Sequence, residues 1–190
     1  MTYVLAGMLL LIALSFLVFL AVAGFFTPVR ITRVTAGPVM LVYERMRGDY
    51  AKSGRIMDAM YRWLQARGVR TFRGFGYYFD DPRRTAKREC RAVVGHVLEP
   101  ADVSRREAIE ERYDVKTFPA QACLQVEASY RGRASILAGL MKAYPALQRY
   151  LKHHDLPQRA VMEIYDAPNR RILYWMPLDP PSDPVATYFG

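Results

Sequence analysis

The stretch EIYDAP, residues 163–168, repeats the pattern of YYFDDP, residues 77–82, and this pair of stretches decides the fold. Each stretch runs from strand-like residues into an aspartate and a proline, which favour a turn. A second match lies upstream, where Arg47-Gly48 ends one apolar run and Arg131-Gly132 ends another. The offsets are 84 residues for the Arg-Gly pairs and 86 residues for the longer stretches. Two matches at nearly one offset predict an internal duplication.

Each half has the pattern of a strand, a helix and two further strands. The first repeat is predicted over about 38–98, a connector over 99–116 and the second repeat over 117–178. Each helix has apolar residues at helical spacing, and Pro145 is expected to interrupt or restart the second one. These positions are Ile56, Met57, Met60, Trp63 and Leu64 in the first helix, and Ile136, Leu137, Leu140, Met141 and Tyr144 in the second. The predicted fold is α+β, with one antiparallel sheet, helices on one face and a cleft where the halves meet.

A separate apolar segment precedes the repeats. Residues 1–29 contain no charged side chain, and residues 4–26 are almost wholly apolar, which is long enough for a transmembrane helix through a lipid bilayer. A cleaved signal peptide is the alternative, because Ala21-Val22-Ala23 resembles a cleavage site. The apolar run is longer than usual for such a peptide, and no basic residue precedes it, so we predict a single-pass anchor. A juxtamembrane linker is predicted over 30–37, and a short Pro-rich tail over 179–190.

The distribution of charge suggests an orientation. The net charge is +9, and 22 of the 27 basic residues are arginine. Because Arg30, Arg33, Arg45 and Arg47 follow the apolar segment and none precedes it, the positive-inside rule puts the C-terminal domain in the cytoplasm. A basic segment beside a membrane also attracts anionic lipids. The arginines are otherwise scattered, and no nucleic-acid-binding signature accompanies them, so nucleic acid is not predicted as a partner.

Metal and cofactor chemistry is not predicted. Cys90 and Cys123 lie in apolar strand-like segments without a CxxC pattern, and His96, His153 and His154 lack the spacing of zinc ligands. We interpret the cysteines as packed thiols of a reducing compartment.

Glu163 is the residue that calls for a function, because it stands inside an apolar strand where an unpaired carboxylate is costly. Side chains alternate along a strand, so Glu163 shares a face with Tyr165, while Met162 and Ile164 share the other face, expected to pack against the helices. The repeat offset aligns Glu163 with Tyr77. The predicted ligand-binding set is Glu163, Tyr77, Phe79 and Tyr165, with Tyr174 and Tyr43 as additions of less certain face. Aromatic faces around a carboxylate suit a flat or cationic organic molecule.

The order of these motifs resembles a known family. The series Arg-Gly-Asp-Tyr, a helix ending in Gly, Gly-Tyr-Tyr-Phe-Asp-Asp-Pro, Cys-Arg-Ala-Val-Val and Met-Glu-Ile-Tyr-Asp-Ala-Pro resembles the GyrI-like (gyrase-inhibitor-like) small-molecule-binding domain. The resemblance covers roughly residues 34–178. An anchor before such a domain, with Tyr-Pro-Ala-Leu-x-x-Tyr in the second helix, is most similar to the testis-expressed ER-phagy receptor family. No autophagy-binding motif stands in the tail, so that role is not carried over.

The resemblance implies a ligand pocket between the two halves, lined by aromatic rings and often centred on a glutamate at the position of Glu163. A membrane-anchored domain that binds a small hydrophobic or cationic ligand, or acts as an adaptor, is therefore the first hypothesis. A hydrolase with Glu163 as general base on a lipophilic electrophile is the second, since the family includes hydrolases. A protein–protein adaptor at a membrane, without a ligand, is the third.

Two questions stay open at the level of sequence. Glu163 could pair with an arginine on a neighbouring strand, for example Arg45 or Arg73, and be purely structural. Enzyme activity is not the preferred hypothesis, because no second catalytic group accompanies Glu163. The ligand, the partner, the membrane and the oligomeric state are not determined by the sequence.

Overall fold

The computed structural model describes residues 2–179. An N-terminal helix is followed by eight strands, with two long helices and one short helix between them. The helices are α1 (Thr2–Val22), α2 (Ser53–Ala66), α3 (Arg106–Glu110) and α4 (Arg133–His153). The strands are β1 (Ile31–Ala36), β2 (Val39–Arg47), β3 (Arg73–Tyr78), β4 (Arg91–Leu98), β5 (Asp114–Phe118), β6 (Gln121–Ser129), β7 (Val161–Asp166) and β8 (Arg171–Pro177).

The eight strands form one antiparallel sheet in the order β1-β6-β8-β7-β3-β4-β2-β5. The predicted α+β class with an antiparallel sheet is confirmed. The units β2-α2-β3-β4 and β6-α4-β7-β8 have the same order of elements, and they meet at the β7–β3 pair in the centre of the sheet. The duplication itself stays a prediction.

Two segments differ from the expected boundaries, and most of a third is not described. The predicted linker over 30–37 contains β1, which pairs with β6 from Ile31 opposite Val126 to Ala36 opposite Gln121. The first strand of the second repeat, expected to begin at residue 117, is instead two strands, β5 and β6, because Pro119 lacks the N–H that a ladder needs and lies at the break. The predicted tail from residue 180 onward lies outside the described residues.

Helix α4 continues through Pro145, where an interruption was expected. A proline removes one helical hydrogen bond, but Ala143, Leu147 and Leu151 on either side are buried against the sheet. Burial on both sides of the proline therefore holds the segment in one helix.

Both faces of the sheet are buried, by different means. On one face α4 covers β6 and β8, and its apolar side chains pack with Val126, Ile172 and Tyr174. The other face forms a cluster of residues from all eight strands, including Tyr77, Phe118 and Trp175. Such a cluster needs a curled sheet that packs against itself. Met162 and Ile164 belong to this second face, so the expectation that they face the helices is wrong.

Candidate functional site

Glu163 lies on the helix-covered face of β7, and its side chain is buried, with 2% of the residue exposed. The hydroxyl of Tyr144, on α4, donates a hydrogen bond to Oε1 at 2.7 Å. The hydroxyl of Tyr165, two residues along β7, donates one to Oε2 at 2.7 Å. Both carboxyl oxygens therefore have a phenol partner, one from the helix and one from the strand itself.

The network extends from Tyr165 towards α2. Tyr78, at the end of β3, lies close to Tyr165 and to Ser53 at the start of α2, and interactions with these two side chains partly oppose the rise in its pKa. Its ring packs edge to face on Tyr50, with ring centroids 4.8 Å apart. Glu163 thus lies at the centre of a ring of tyrosines that joins both long helices to the sheet.

Burial controls the charge of this site. It raises the pKa of Glu163 to about 7, and the hydrogen bonds from Tyr144 and Tyr165 oppose that shift. Burial, together with repulsion from a charged Glu163, raises the pKa of Tyr144 and of Tyr165 well above the usual value. The same two causes raise the pKa of Tyr78 to about 12. The phenols are therefore neutral donors at physiological pH, and Glu163 is the group that titrates.

No cationic side chain that the structure describes forms an ion pair with Glu163. Arg45 pairs with Asp114 at 3.4 Å, and Arg73 pairs with Glu99 at 2.8 Å. The arginine partners considered for Glu163 are thus engaged elsewhere, and tyrosines take their place. A buried carboxyl with neutral donors alone keeps most of its desolvation cost.

Two glycines form the floor beside Glu163. Gly76 pairs with Glu163 across the β3–β7 ladder, and Gly74 pairs with Tyr165. A Cβ on Gly76 would lie 2.5 Å from the Tyr78 hydroxyl, and a Cβ on Gly74 would lie 2.6 Å from Met57 Cε. The aromatic ring and the methionine of α2 thus occupy space that side chains of β3 would otherwise fill.

Tyr174 pairs with Glu163 on the opposite side, across the β7–β8 ladder. Its hydroxyl is buried and has no hydrogen-bond partner among the described residues. A Cβ on Gly139 of α4 would collide with this oxygen. Burial, followed by the proximity of Glu163, raises the pKa of Tyr174. The site therefore contains one buried donor that its own residues leave unused.

The predicted site residues fall on two faces. Glu163, Tyr165 and Tyr174 lie together on the helix-covered face. Tyr77, Phe79 and Tyr43 belong to the cluster on the opposite face, so they do not share a cleft with Glu163. The register explains the difference: Tyr77 pairs with Met162, whereas Glu163 pairs with Gly76. A change of one residue in register moves a side chain to the other face of a sheet.

Two tyrosines of the site were not predicted as site residues. Tyr144 was assigned to the apolar face of its helix, where a hydroxyl among aliphatic residues was the signal for a polar partner. Tyr78 was missed because Tyr77 was taken as the neighbour of Glu163. The alternation of Gly74 and Gly76 points to the correct face, since glycines at every second strand position leave room on one side.

Comparisons with known proteins agree with this fold. The chain is similar in structure to the EcmrR chain of an EcmrR–DNA complex, with a TM-score of 0.55 and 13% identity over 78% of this chain and 57% of that one. It is similar to the isolated EcmrR C-terminal domain, with a TM-score of 0.51 and 12% identity over 80% of this chain and 96% of that one. SAV2435 bound to tetraphenylphosphonium aligns with a TM-score of 0.44 and 10% identity over 80% and 94% of the two chains.

A search of curated proteins finds no match of significance. The closer likeness to the ER-phagy receptor family has no support in these comparisons. The profile of the GyrI-like small molecule binding domain matches residues 27–179, which include all eight strands and Glu163. Since that range is most of the chain, the protein belongs to the GyrI-like small-molecule-binding domain family.

Proposed function

We propose that this chain is a membrane-anchored domain that binds a hydrophobic organic cation at Glu163. The observation that carries the proposal is a buried carboxyl group with aromatic neighbours and no cationic partner among the described side chains. A cation against this carboxylate would offset the desolvation cost that the tyrosines leave, and the aromatic rings would add cation–π attraction.

Binding requires the tyrosines to move, because Glu163 is covered in the present conformation. Tyr78, Tyr144 and Tyr165 are only partly buried, whereas Glu163 is buried, so their rings form the layer between the carboxyl and solvent. The glycine floor supports an opening there, since Met57 and Tyr78 fill it with the ends of side chains that can rotate. We infer that the ligand enters from the helix-covered face between α2 and α4, and that Tyr174 supplies the free hydroxyl of the opened site.

The anchor is the second part of the proposal. Among residues 2–179, one helix, α1, is long and apolar enough to cross a membrane, and a signal sequence would pass the same test of length and composition. The arginines after this helix favour a cytoplasmic domain with a single membrane pass. A soluble chain in which α1 is removed by a signal peptidase is the outcome that would contradict this part.

The binding test uses two ligands of the same shape and opposite charge. Tetraphenylphosphonium should bind the full chain in neutral detergent, whereas tetraphenylborate should not, because the carboxylate rejects an anion. Glu163→Gln should weaken the cation by at least about tenfold, which corresponds to the loss of a buried charge pair. Glu44→Gln, an exposed change of equal charge on β2, is the matched control. Isothermal titration that finds equal affinity for wild type and Glu163→Gln contradicts cation binding at this site.

Hydrolysis is the second candidate, and the titration of Glu163 favours it. A carboxyl with a pKa of about 7 can act as a general base near neutral pH. In this conformation both oxygens accept hydrogen bonds from tyrosines, so a substrate and its water would have to displace at least one of them. Turnover of activated esters that survives in Glu163→Ala would remove this candidate.

An adaptor without a ligand is the third candidate. The protein's own side chains fill the cleft, as an adaptor without a ligand would require. The adaptor hypothesis also predicts that a cationic side chain of the protein pairs with Glu163, whereas the partners present are neutral tyrosines. This difference is why ligand binding comes first.

A further inference from the structure

A lysine of α4 binds the segment that follows α1. Lys142 donates hydrogen bonds through Nζ to the carbonyl of Gly24 and, at 2.7 Å, to the carbonyl of Thr27. Ala23 is buried, with 5% exposed, and Gly24 packs near Cβ of Ser129 on β6. These contacts fix which part of the domain lies beside the point where the apolar helix ends.

A polar cavity of about 380 Å³ lies at this attachment. It is lined by the chain after α1, by β6, by Lys142 and by the turn between β7 and β8. Its acidic lining residue, Glu127, pairs with Arg171 at 3.6 Å. Arg30 and Arg170 also line it, are exposed, and form no ion pair among the described residues. Two unneutralised guanidinium groups next to the hydroxyl groups of Thr27, Thr32 and Ser129 suit a phosphate group.

Apolar side chains on the same end of the molecule are exposed to solvent. Leu137 is 55% exposed and Met141 is 59% exposed, on one side of α4, although the sequence assigned them to its buried face. Met141 is next to Lys142 in the chain. Phe26, which is 62% exposed, stands in the sequence between Gly24 and Thr27, whose carbonyls Lys142 binds. Phe26 and Met141 therefore lie close to the point where the predicted membrane helix ends, and Leu137 lies one helical turn before Met141.

We propose that Phe26, Leu137, Met141, Arg30 and Arg170 form a juxtamembrane surface that lies on an anionic bilayer, with a phospholipid phosphate held by the two arginines. The apolar members enter the interface between headgroups and acyl chains, as amphipathic elements do. A soluble phosphate would account for the arginines but not for the exposed apolar side chains beside them, so the proposed ligand is a lipid. This inference rests on the proposed anchor and is independent of Glu163.

The test places the full chain in nanodiscs with a fluorescent reporter on the surface. Met141→Cys carries an environment-sensitive label, and Cys90 and Cys123 are both buried, which limits labelling elsewhere. With phosphatidylglycerol in the disc, we expect a blue shift of the label and protection from an aqueous quencher. With phosphatidylcholine alone, both effects should be several-fold smaller.

Removal of the two arginines tests whether they recognise the anionic lipid, or whether the label responds only because it lies near a bilayer. Arg30→Gln with Arg170→Asn should raise the fraction of phosphatidylglycerol needed for half of the shift, by about fivefold for each arginine. Asparagine is chosen at 170 because this residue has a φ of 51°, which asparagine tolerates better than most residues. Arg55→Gln with Arg62→Gln, the same charge change on exposed positions of α2, should leave the titration unchanged.

Three outcomes overturn the inference, and one of them concerns the anchor alone. A chain that leaves the discs in alkaline carbonate contradicts the anchor. A chain that stays in the discs, with a label equally exposed to water in both lipids, contradicts the juxtamembrane surface only. If millimolar glycerol phosphate reverses the fluorescence shift of the label, the site binds soluble phosphate, which contradicts a lipid as the ligand.

Discussion

The carboxyl group of Glu163 makes the stability of the folded chain depend on pH. Its pKa is raised from 4.5 to about 7 because it is buried, so between these values the folded chain keeps a proton that the unfolded chain loses. Its contribution to stability is complete below pH 4.5 and is lost as the pH rises through 7. The free energy of unfolding therefore falls by on the order of 3 kcal/mol, since each unit of pKa shift corresponds to about 1.36 kcal/mol.

Glu163→Gln should remove this pH dependence. Urea unfolding of the full chain in neutral detergent, followed from pH 5 to pH 8, should show a falling free energy of unfolding for wild type. The variant should show a flatter profile and equal or greater stability at pH 8, because glutamine carries no charge to bury. Glu44→Gln on the surface should follow the wild type. A variant profile parallel to that of wild type would mean that Glu163 is not protonated preferentially in the folded state.

At the scale of elements, the spacing between α4 and β8 depends on a glycine facing a tyrosine. Gly139→Ala would put a methyl group against the Tyr174 hydroxyl, and overpacking of this kind costs about 1–3 kcal/mol. Tyr174→Phe alone removes a buried hydroxyl without a partner and should be neutral or stabilising. The double variant should recover most of the stability lost in Gly139→Ala. Additive effects in thermal unfolding would show that helix and strand do not meet through these two residues.

Elements were predicted from the sequence far better than their register. The periodicity of α2 and the alternation in β7 are local signals, and both elements lie where these signals indicate. The neighbour of Glu163 is a non-local property. An offset of 86 residues aligned it with Tyr77, whereas the ladder pairs it with Gly76. Because faces alternate with every residue, that small error exchanged Tyr78 for Tyr77 in the predicted site.

The curl of the sheet was also outside the reach of local patterns. The face of Met162 and Ile164 was expected to pack against the helices, whereas it forms a cluster of residues from the strands themselves. In the folded chain it holds Tyr43, Tyr77 and Phe118, each at most 1% exposed. The site could be predicted at Glu163 and Tyr165, which share one strand, and Tyr174 on the last strand was named as an addition. Tyr144 is 19 residues earlier, and only the packing of α4 on the sheet brings it to the carboxyl.

At the scale of the whole molecule, the attachment of α1 predicts a difference between two truncations. A chain that begins at residue 23 keeps both carbonyl acceptors of Lys142, whereas a chain that begins at residue 29 loses them. The truncation that removes the acceptors also exposes Lys142 to water, so the cost should be the net value of the lost hydrogen bonds, about 1 kcal/mol. Lys142→Met in both truncations should reduce the difference, and what remains is the contribution of the buried Ala23. Equal urea unfolding of the two chains with Lys142 intact would contradict a structural role for this contact.

Helix α4 contacts both the segment that follows α1 and the carboxyl group of Glu163. Lys142 binds the carbonyls that follow α1, and Tyr144, two residues later, donates to Glu163. A displacement of α4 that separates Tyr144 from the carboxyl also moves Lys142, since a helix moves over such a short length as one rigid body, and the lysine side chain must then adjust or lose its contacts. If the site at Glu163 opens as proposed, the work of opening is shared with the contact beside α1, and by linkage a force applied at that contact changes the free energy of opening by the same amount.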